Sequence, residues 1–318
     1  MFKGHPKGLI PAALTNMGER FGFYTMMAIL VLFLQAKFGL SGTKAGYIYS
    51  GFYFSIYFLA LVGGIIADRI KNFKGTILVG LLLMTMGYVI MAIPTPTPVS
   101  SVPLFLGLSV FGLFVISFGN GLFKGNLQAL VGQMYDNEKY DSLRDSGFSI
   151  FYAFINVGAI FAPFTAVGIR NWWLSHNGFK YDANLPEQCH VFINNNMGTD
   201  QISNFQEAAN NAMGSSVTDL TAFSNEYLNV FNTGFHYAFG IAIIAMLISL
   251  VVYLVNKNKF PNVKTVTTEG KEITDEVKME AKEVAQRMYA LLAVFGVVIF
   301  FWFSFHQNGL TLTFFARD

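Results

Sequence analysis

Seven separate stretches of about 20 or more mostly apolar residues punctuate the chain, at about 9–36, 43–67, 75–94, 103–131, 147–169, 234–255 and 288–314. Each is long enough to cross a bilayer as a helix. In lipid every backbone N–H and C=O must find its partner within the protein, so a run of this kind folds as a helix and not as an open strand. The rest of the composition agrees. Charged residues make up 13% of the sequence, about half of what a soluble domain carries. A formal net charge of +2, with no basic stripe, gives no footing for nucleic acid. Cys189 stands alone, which excludes an intrachain disulfide framework and a cysteine-based metal site.

The beginning, MFKGHPKGLIPAAL, runs directly into the first span without a small-residue cleavage site, so the first helix is expected to be retained. Lys and Arg then orient the chain. Lys3 and Lys7 precede the first span, Arg69, Lys71 and Lys74 join the second and third, and Lys139 and Arg144 join the fourth and fifth. Seven more, from Lys257 to Arg287, lie between the sixth and seventh. The other side has only Lys37, Lys44, Arg170, Lys180 and Arg317. The positive-inside rule places the N-terminus in the cytoplasm, in a multi-pass protein of the cytoplasmic (inner) membrane. The Asn-, Ser- and Thr-rich segment near 170–233 then faces outward, folded as short helices at the membrane surface. Residues 1–255 are expected to form a six-helix bundle, 256–287 a partly helical cytoplasmic linker, and 288–318 a seventh membrane helix. Many transporters repeat a six-span half, so the chain is expected to be a piece of a longer protein.

Charges inside spans are costly and tend to face the bundle interior. Glu19 and Arg20 lie halfway into the first span, Lys124 deep in the fourth and His306 well inside the seventh. Each also has a plain structural reading. A paired charge can lock helix packing, a lysine near a helix end can snorkel, and a buried neutral histidine can bond a carbonyl. Asn16, Glu19 and Arg20, at i, i+3 and i+4, share one helix face. Tyr53 with Tyr57, Tyr152 with Asn156, and Trp302 with His306 stand at i, i+4 in the second, fifth and seventh spans. Such pairs serve packing as well as binding. Five spans offering polar groups at similar depth favour one central cavity, and Gly119, Gly121 and Gly125 let the fourth span approach a neighbour or a ligand closely.

The motifs that carry this chemistry resemble those of the proton-dependent oligopeptide transporter (POT/PTR2) family of the major facilitator superfamily. NMGERFGFY is similar to the family's first-helix ExxERFxYY. GGIIADRIKNFKG resembles the superfamily loop between helices two and three, with Asp68 and Arg69 in place. GNGLFKGN is similar to the fourth-helix FKPN segment, RDSGFSIFYAFINVGAIFAP to the fifth-helix signature, and FWFSFHQNGLTLTFFA to the seventh-helix FWxxxEQ. The resemblance implies an all-α membrane fold, with the N-terminal six-helix bundle followed by the first helix of the second half. It implies proton-coupled symport of di- and tripeptides by alternating access, with protons as the coupling ion and neither metal nor other cofactor. Glu19 and Arg20 would form the proton-sensitive pair, and Arg20 and Lys124 would attract the peptide carboxylate. Tyr24, Tyr57, Asn156 and Trp302 would line the peptide cavity, beside small peptides, lipid and the second half of the same transporter.

Departures are equally specific. Asn16 replaces the first Glu of the motif, Phe23 its first Tyr, Gly125 the usual Pro, and Met27 a common Arg. His306 stands where the seventh helix usually has Glu, which exchanges a carboxylate for an imidazole that titrates near neutral pH. His306 therefore joins Glu19 and Arg20 as a candidate for proton coupling. Transport of another small solute, or with another ion, remains open on the same scaffold. A seven-helix receptor fits the span count but not the orientation, and no HExxH, GxSxG or paired-carboxylate arrangement suggests an enzyme. His176 and His190 in the outer segment read as ordinary surface residues.

Overall fold

The computed structural model describes residues 4–261, 281–305, 307 and 311–317. Among the described residues the chain is helical throughout, with α1 (Leu9–Phe38), α2 (Gly42–Ile70), α3 (Phe73–Ala92), α4 (Val102–Gln133) and α5 (Arg144–His176) following in order. Then come two short helices, α6 (Leu185–Ile193) and α7 (Thr199–Met213), the long α8 (Leu220–Asn256), α9 (Ala281–Phe305) and α10 (Thr311–Arg317). Seven of these, α1 to α5, α8 and α9, are long and apolar enough to cross a membrane. Even the 20-residue α3 reaches about 30 Å at 1.5 Å per residue, the thickness of the hydrocarbon core.

The helices fall into two units divided after Asn262. In the first, α1 packs against α8 and α5, α4 against α2 and α3, and α3 against α8. α1 is buried on every side, as expected of a helix that is apolar all round. Its end is set by Gly39, whose left-handed φ of 63° costs glycine nothing and whose N–H donates to the Gln35 carbonyl at 2.9 Å. Ser41 then caps α2. At the other end of α2, Asp68 and Arg69 are exposed in the last turn, where a cation suits the helix dipole. Lys71 and Asn72 alone connect α2 to α3, with the Asn72 side chain accepting from the Gly75 N–H at 2.9 Å.

Several helices outrun the apolar stretches that marked them. α5 extends to His176 and α8 begins at Leu220, where hydropathy marked 147–169 and 234–255. Hydropathy detects only the part of a helix dissolved in lipid, whereas the backbone ladder continues into water wherever a cap permits. Asp219 supplies that cap for α8, accepting from Thr221 and Ala222 N–H at 2.9 and 3.0 Å. α9 starts at Ala281 and runs to Phe305, so its first turns take over the end of the expected linker. Most of that linker, 262–280, lies outside the described residues.

Lys37 and Arg170, counted above as loop cations, are both 3% exposed, because α1 and α5 continue past the apolar stretches that marked them. Lys37 Nζ lies 2.6 Å from His236 Nε2, and His236 Nδ1 lies 2.8 Å from the Met91 carbonyl. The carbonyl can only accept, so Nδ1 carries the proton and Nε2 accepts from the Lys37 ammonium. α1, α3 and α8 are thus tied together. The Arg170 guanidinium sits 4.0 Å from the Tyr181 ring centroid and also faces Phe231 and Phe235.

His190 is likewise no ordinary surface residue. It is half-buried on α6, and its Nε2 donates to the Ala36 carbonyl at 2.7 Å. Burial holds the ring below the ordinary histidine value, and the Ala36 hydrogen bond offsets only part of that. The unfolded chain therefore takes up the proton more readily than the folded one. Burial of the neutral ring contributes fully above about pH 6.5, and its contribution is lost progressively as pH falls below that and the buried ring must take on charge. Hydrogen exchange across 185–213, corrected for intrinsic rates, should accelerate between about pH 7 and about pH 5. A His190→Phe substitution should remove that acceleration.

Candidate functional site

The segment Gly119-Asn120-Gly121 on α4 sets the geometry of the site. A Cβ on Gly119 would press on the Gly80 carbonyl of α3, and one on Gly121 would strike the Leu59 carbonyl of α2. Both glycines are therefore needed for α4 to sit against its two neighbours at backbone distance. Between them Asn120, fully buried, reaches α1.

There it meets the charge pair. Glu19 and Arg20 are 1% and 5% exposed. Neighbouring residues on a helix do not face each other, but the long Arg20 side chain folds back and grips the carboxylate with a fork. Arg20 Nε donates to Glu19 Oε2 and Nη2 to Oε1, each at 2.6 Å. Asn120 Nδ2 donates to Oε1 at 2.8 Å. The guanidinium also lies 4.6 Å from the Phe23 ring centroid. An ionised carboxylate with three donors, deep in a bundle, is the arrangement that makes a buried pair tolerable.

One turn further along α4, Lys124 is half-buried, with Nζ 5.5 Å from the Tyr57 ring centroid. It makes no ion pair among the described residues, although it lies close enough to Arg20 and Glu19 to interact with both charges. Tyr57 continues a ring ladder with Tyr53 and Tyr49 along α2. Tyr24 is half-buried on α1 and interacts with Arg20 and Tyr53. Asn156 is exposed on α5, one turn from Tyr152, whose hydroxyl accepts from Gln128 Nε2 of α4 at 3.5 Å. Asn16 is buried one turn before Glu19.

The first unit thus brings Glu19, Arg20, Lys124, Tyr57 and Tyr24 into one neighbourhood. Asn156 makes no side-chain hydrogen bond among the described residues. Trp302 belongs to the second unit, on α9, with its ring against Phe301 and Phe305. His306 lies outside the described residues. Sequence reasoning missed Asn120 and the Lys37–His236 pair. An Asn between two helix-contact glycines was a usable signal for the first, and a His inside an apolar span for the second.

Chemically this neighbourhood holds a buried carboxylate, two cations of which Lys124 makes no ion pair among the described residues, and the aromatic rings of Tyr24 and Tyr57. Comparison with known proteins gives the context. The profile of the POT family matches residues 74–277. A di-/tripeptide transporter of Lactococcus lactis subsp. cremoris is 37% identical over 189 residues, which is 57% of this chain and 36% of the relative. A peptide transporter of Yersinia enterocolitica subsp. palearctica is 34% identical over 187 residues, 57% of this chain and 34% of the relative. Among solved structures, a peptide transporter named POT in complex with sulfate superposes with a TM-score of 0.54 at 26% identity, covering 94% of this chain and 46% of that one. The chain therefore spans about a third of the length of the curated relatives it matches.

Proposed function

Because the chain belongs to the POT family, we propose that it forms the front part of a transporter that carries di- and tripeptides into the cell together with protons, by alternating access. The observation that carries this reading is the buried Glu19 carboxylate, held by Arg20 and Asn120, beside a half-buried Lys124 that makes no ion pair among the described residues. A zwitterionic peptide needs a cation for its carboxylate and apolar or aromatic walls for its variable side chains. Lys124 and Arg20 provide the first, and Tyr24 and Tyr57 the second, with Asn156 adding a polar group. Protonating Glu19 loosens its hold on Arg20 and frees the guanidinium for the peptide carboxylate, which links proton to solute through one charge. A second bundle completes the cavity, and rocking of the two halves exposes it to each side in turn. The Lys and Arg distribution supports a cytoplasmic N-terminus in the inner membrane.

Uptake of labelled dipeptide into liposomes holding the transporter that contains this chain tests the proposal. An imposed inward proton gradient should drive accumulation. Lys124→Gln should raise the KM for peptide about tenfold or more, the weight of one hydrogen bond to a charged group. Uptake indifferent to the gradient would end the coupling reading. Stronger competition from amino acids or inorganic anions than from peptides would reassign the solute.

A further inference from the structure

Asn120 does more than fill space beside Glu19. An ionised carboxylate has no proton to give, so the amide atom facing Oε1 must be the NH2 group, as found at 2.8 Å. The other end of the same amide, Oδ1, is fully buried and accepts from no group among the described residues. A buried acceptor left without a donor is costly. The charged and titratable groups that interact with Glu19 are Arg20 on its own helix, Tyr88 on α3 and Lys124 on α4. Apart from Arg20 and Asn120, no hydrogen bond or ion pair reaches it from α2, α3, α5 or α8 among the described residues. Arg20 can only donate, so it can still reach an oxygen of the protonated acid but offers the new O–H no acceptor. Asn120 is the hydrogen-bonded neighbour that can serve both forms.

We infer that Asn120 is a positioning residue that follows the protonation of Glu19 by exchanging its donor for its acceptor. With Glu19 ionised, Nδ2–H donates to Oε1. When Glu19 takes a proton from water entering the cavity, the new O–H becomes a donor, and the Nδ2–H bond to it is lost. A half-turn of the amide about Cβ–Cγ then brings Oδ1 round to accept from that O–H, which gives the orphaned acceptor a donor. Loss of the proton reverses the turn. The flanking glycines hold α4 close to α2 and α3, so the amide turns while its helix stays in place. The inference rests on the proton-coupling reading of Glu19.

Infrared difference spectra between high and low pH test it on the unmutated full chain in lipid nanodiscs, with asparagine side chains carrying 13C at Cγ. A protonated-carboxyl band that disappears in Glu19→Gln identifies Glu19. One asparagine C=O band should move to lower frequency in step with it and be absent in Asn120→Leu. A Glu19 band with every asparagine silent would overturn the inference and leave the coupling reading standing. No Glu19 band at any pH would remove the coupling reading itself, and this inference with it. In liposomes holding the transporter that contains this chain, Asn120→Leu should lower gradient-driven uptake about tenfold and displace its dependence on external pH, the order expected for loss of a hydrogen bond to a charged group. Counterflow exchange should fall several-fold less than driven uptake, since it needs no net proton movement. Asn120→Thr, whose hydroxyl donates and accepts, should restore most of the driven uptake. An Asn120→Leu variant with an unchanged pH profile would overturn the inference.

Discussion

Glu19→Gln is expected to abolish gradient-driven uptake, lowering it by at least about 100-fold, while exchange of labelled for unlabelled peptide continues within a few-fold of normal. The amide keeps the length and shape of the carboxylate, and its single oxygen still accepts from one arm of the Arg20 fork while the other arm loses its acceptor. What it cannot do is take up a proton. Driven transport needs a proton bound on one side and released on the other, whereas exchange needs only the solute. The substitution also leaves a buried guanidinium facing a neutral partner in place of an anion. The variant should therefore melt earlier, by an amount corresponding to about 1–3 kcal/mol. Glu19→Asp keeps the titrating group but withdraws it by one methylene from both Arg20 and Asn120, and should retain a measurable fraction of driven uptake. If Glu19→Gln still concentrated peptide under a proton gradient, the coupling group would lie elsewhere, with His306 the first to test.

Gly63→Val should have the largest effect on folding. A Cβ at this position of α2 would overlap the backbone of Gly121 on α4. Neither helix can give way at that point: α2 is fixed by its two-residue connection to α3, and α4 is held on its other side by the Gly119–Gly80 contact. The expected cost is about 3 kcal/mol or more, at the upper end of what overpacking does. The measurable outcome is a loss of monodisperse protein after detergent extraction, with a steep fall in melting temperature for whatever survives. Gly64→Val, one residue on and with open space where its Cβ would go, is the control and should behave nearly as the unmutated chain.

The membrane helices were legible because twenty consecutive apolar residues have few other ways to fold. Helix ends were less so. Hydropathy located the lipid-immersed middle of α5 and α8 but not their continuation into water, which depends on caps such as Asp219 and on backbone bonds that composition does not register. The same blindness misplaced Lys37, Arg170 and His190. A lysine at the end of an apolar run reads as a loop cation, and only the packing of α3 and α8 around it reveals that it is buried against His236. Within the site, charge alone pointed to Glu19, Arg20 and Lys124, because a formal charge in a span demands a reason. Asn120 escaped since a neutral amide raises no such alarm. Its importance lies in which atom faces the carboxylate, and no one-dimensional pattern encodes that.

The Ala36 carbonyl, which accepts from both His190 and Asn232 at 2.7 and 3.0 Å, ties the α6–α7 cap to the last turn of α1. Glu19 lies on the same helix, about 25 Å away along its axis. The cap is thus a handle on the rod that carries the carboxylate, and neither α6 nor α7 is among the helices long and apolar enough to cross a membrane. A spectroscopic label at the exposed Asn196 would report whether that rod tilts under the proposed alternating access. If the proposed cycle tilts this rod, an antibody fragment seated on α7 should slow peptide uptake from a distance.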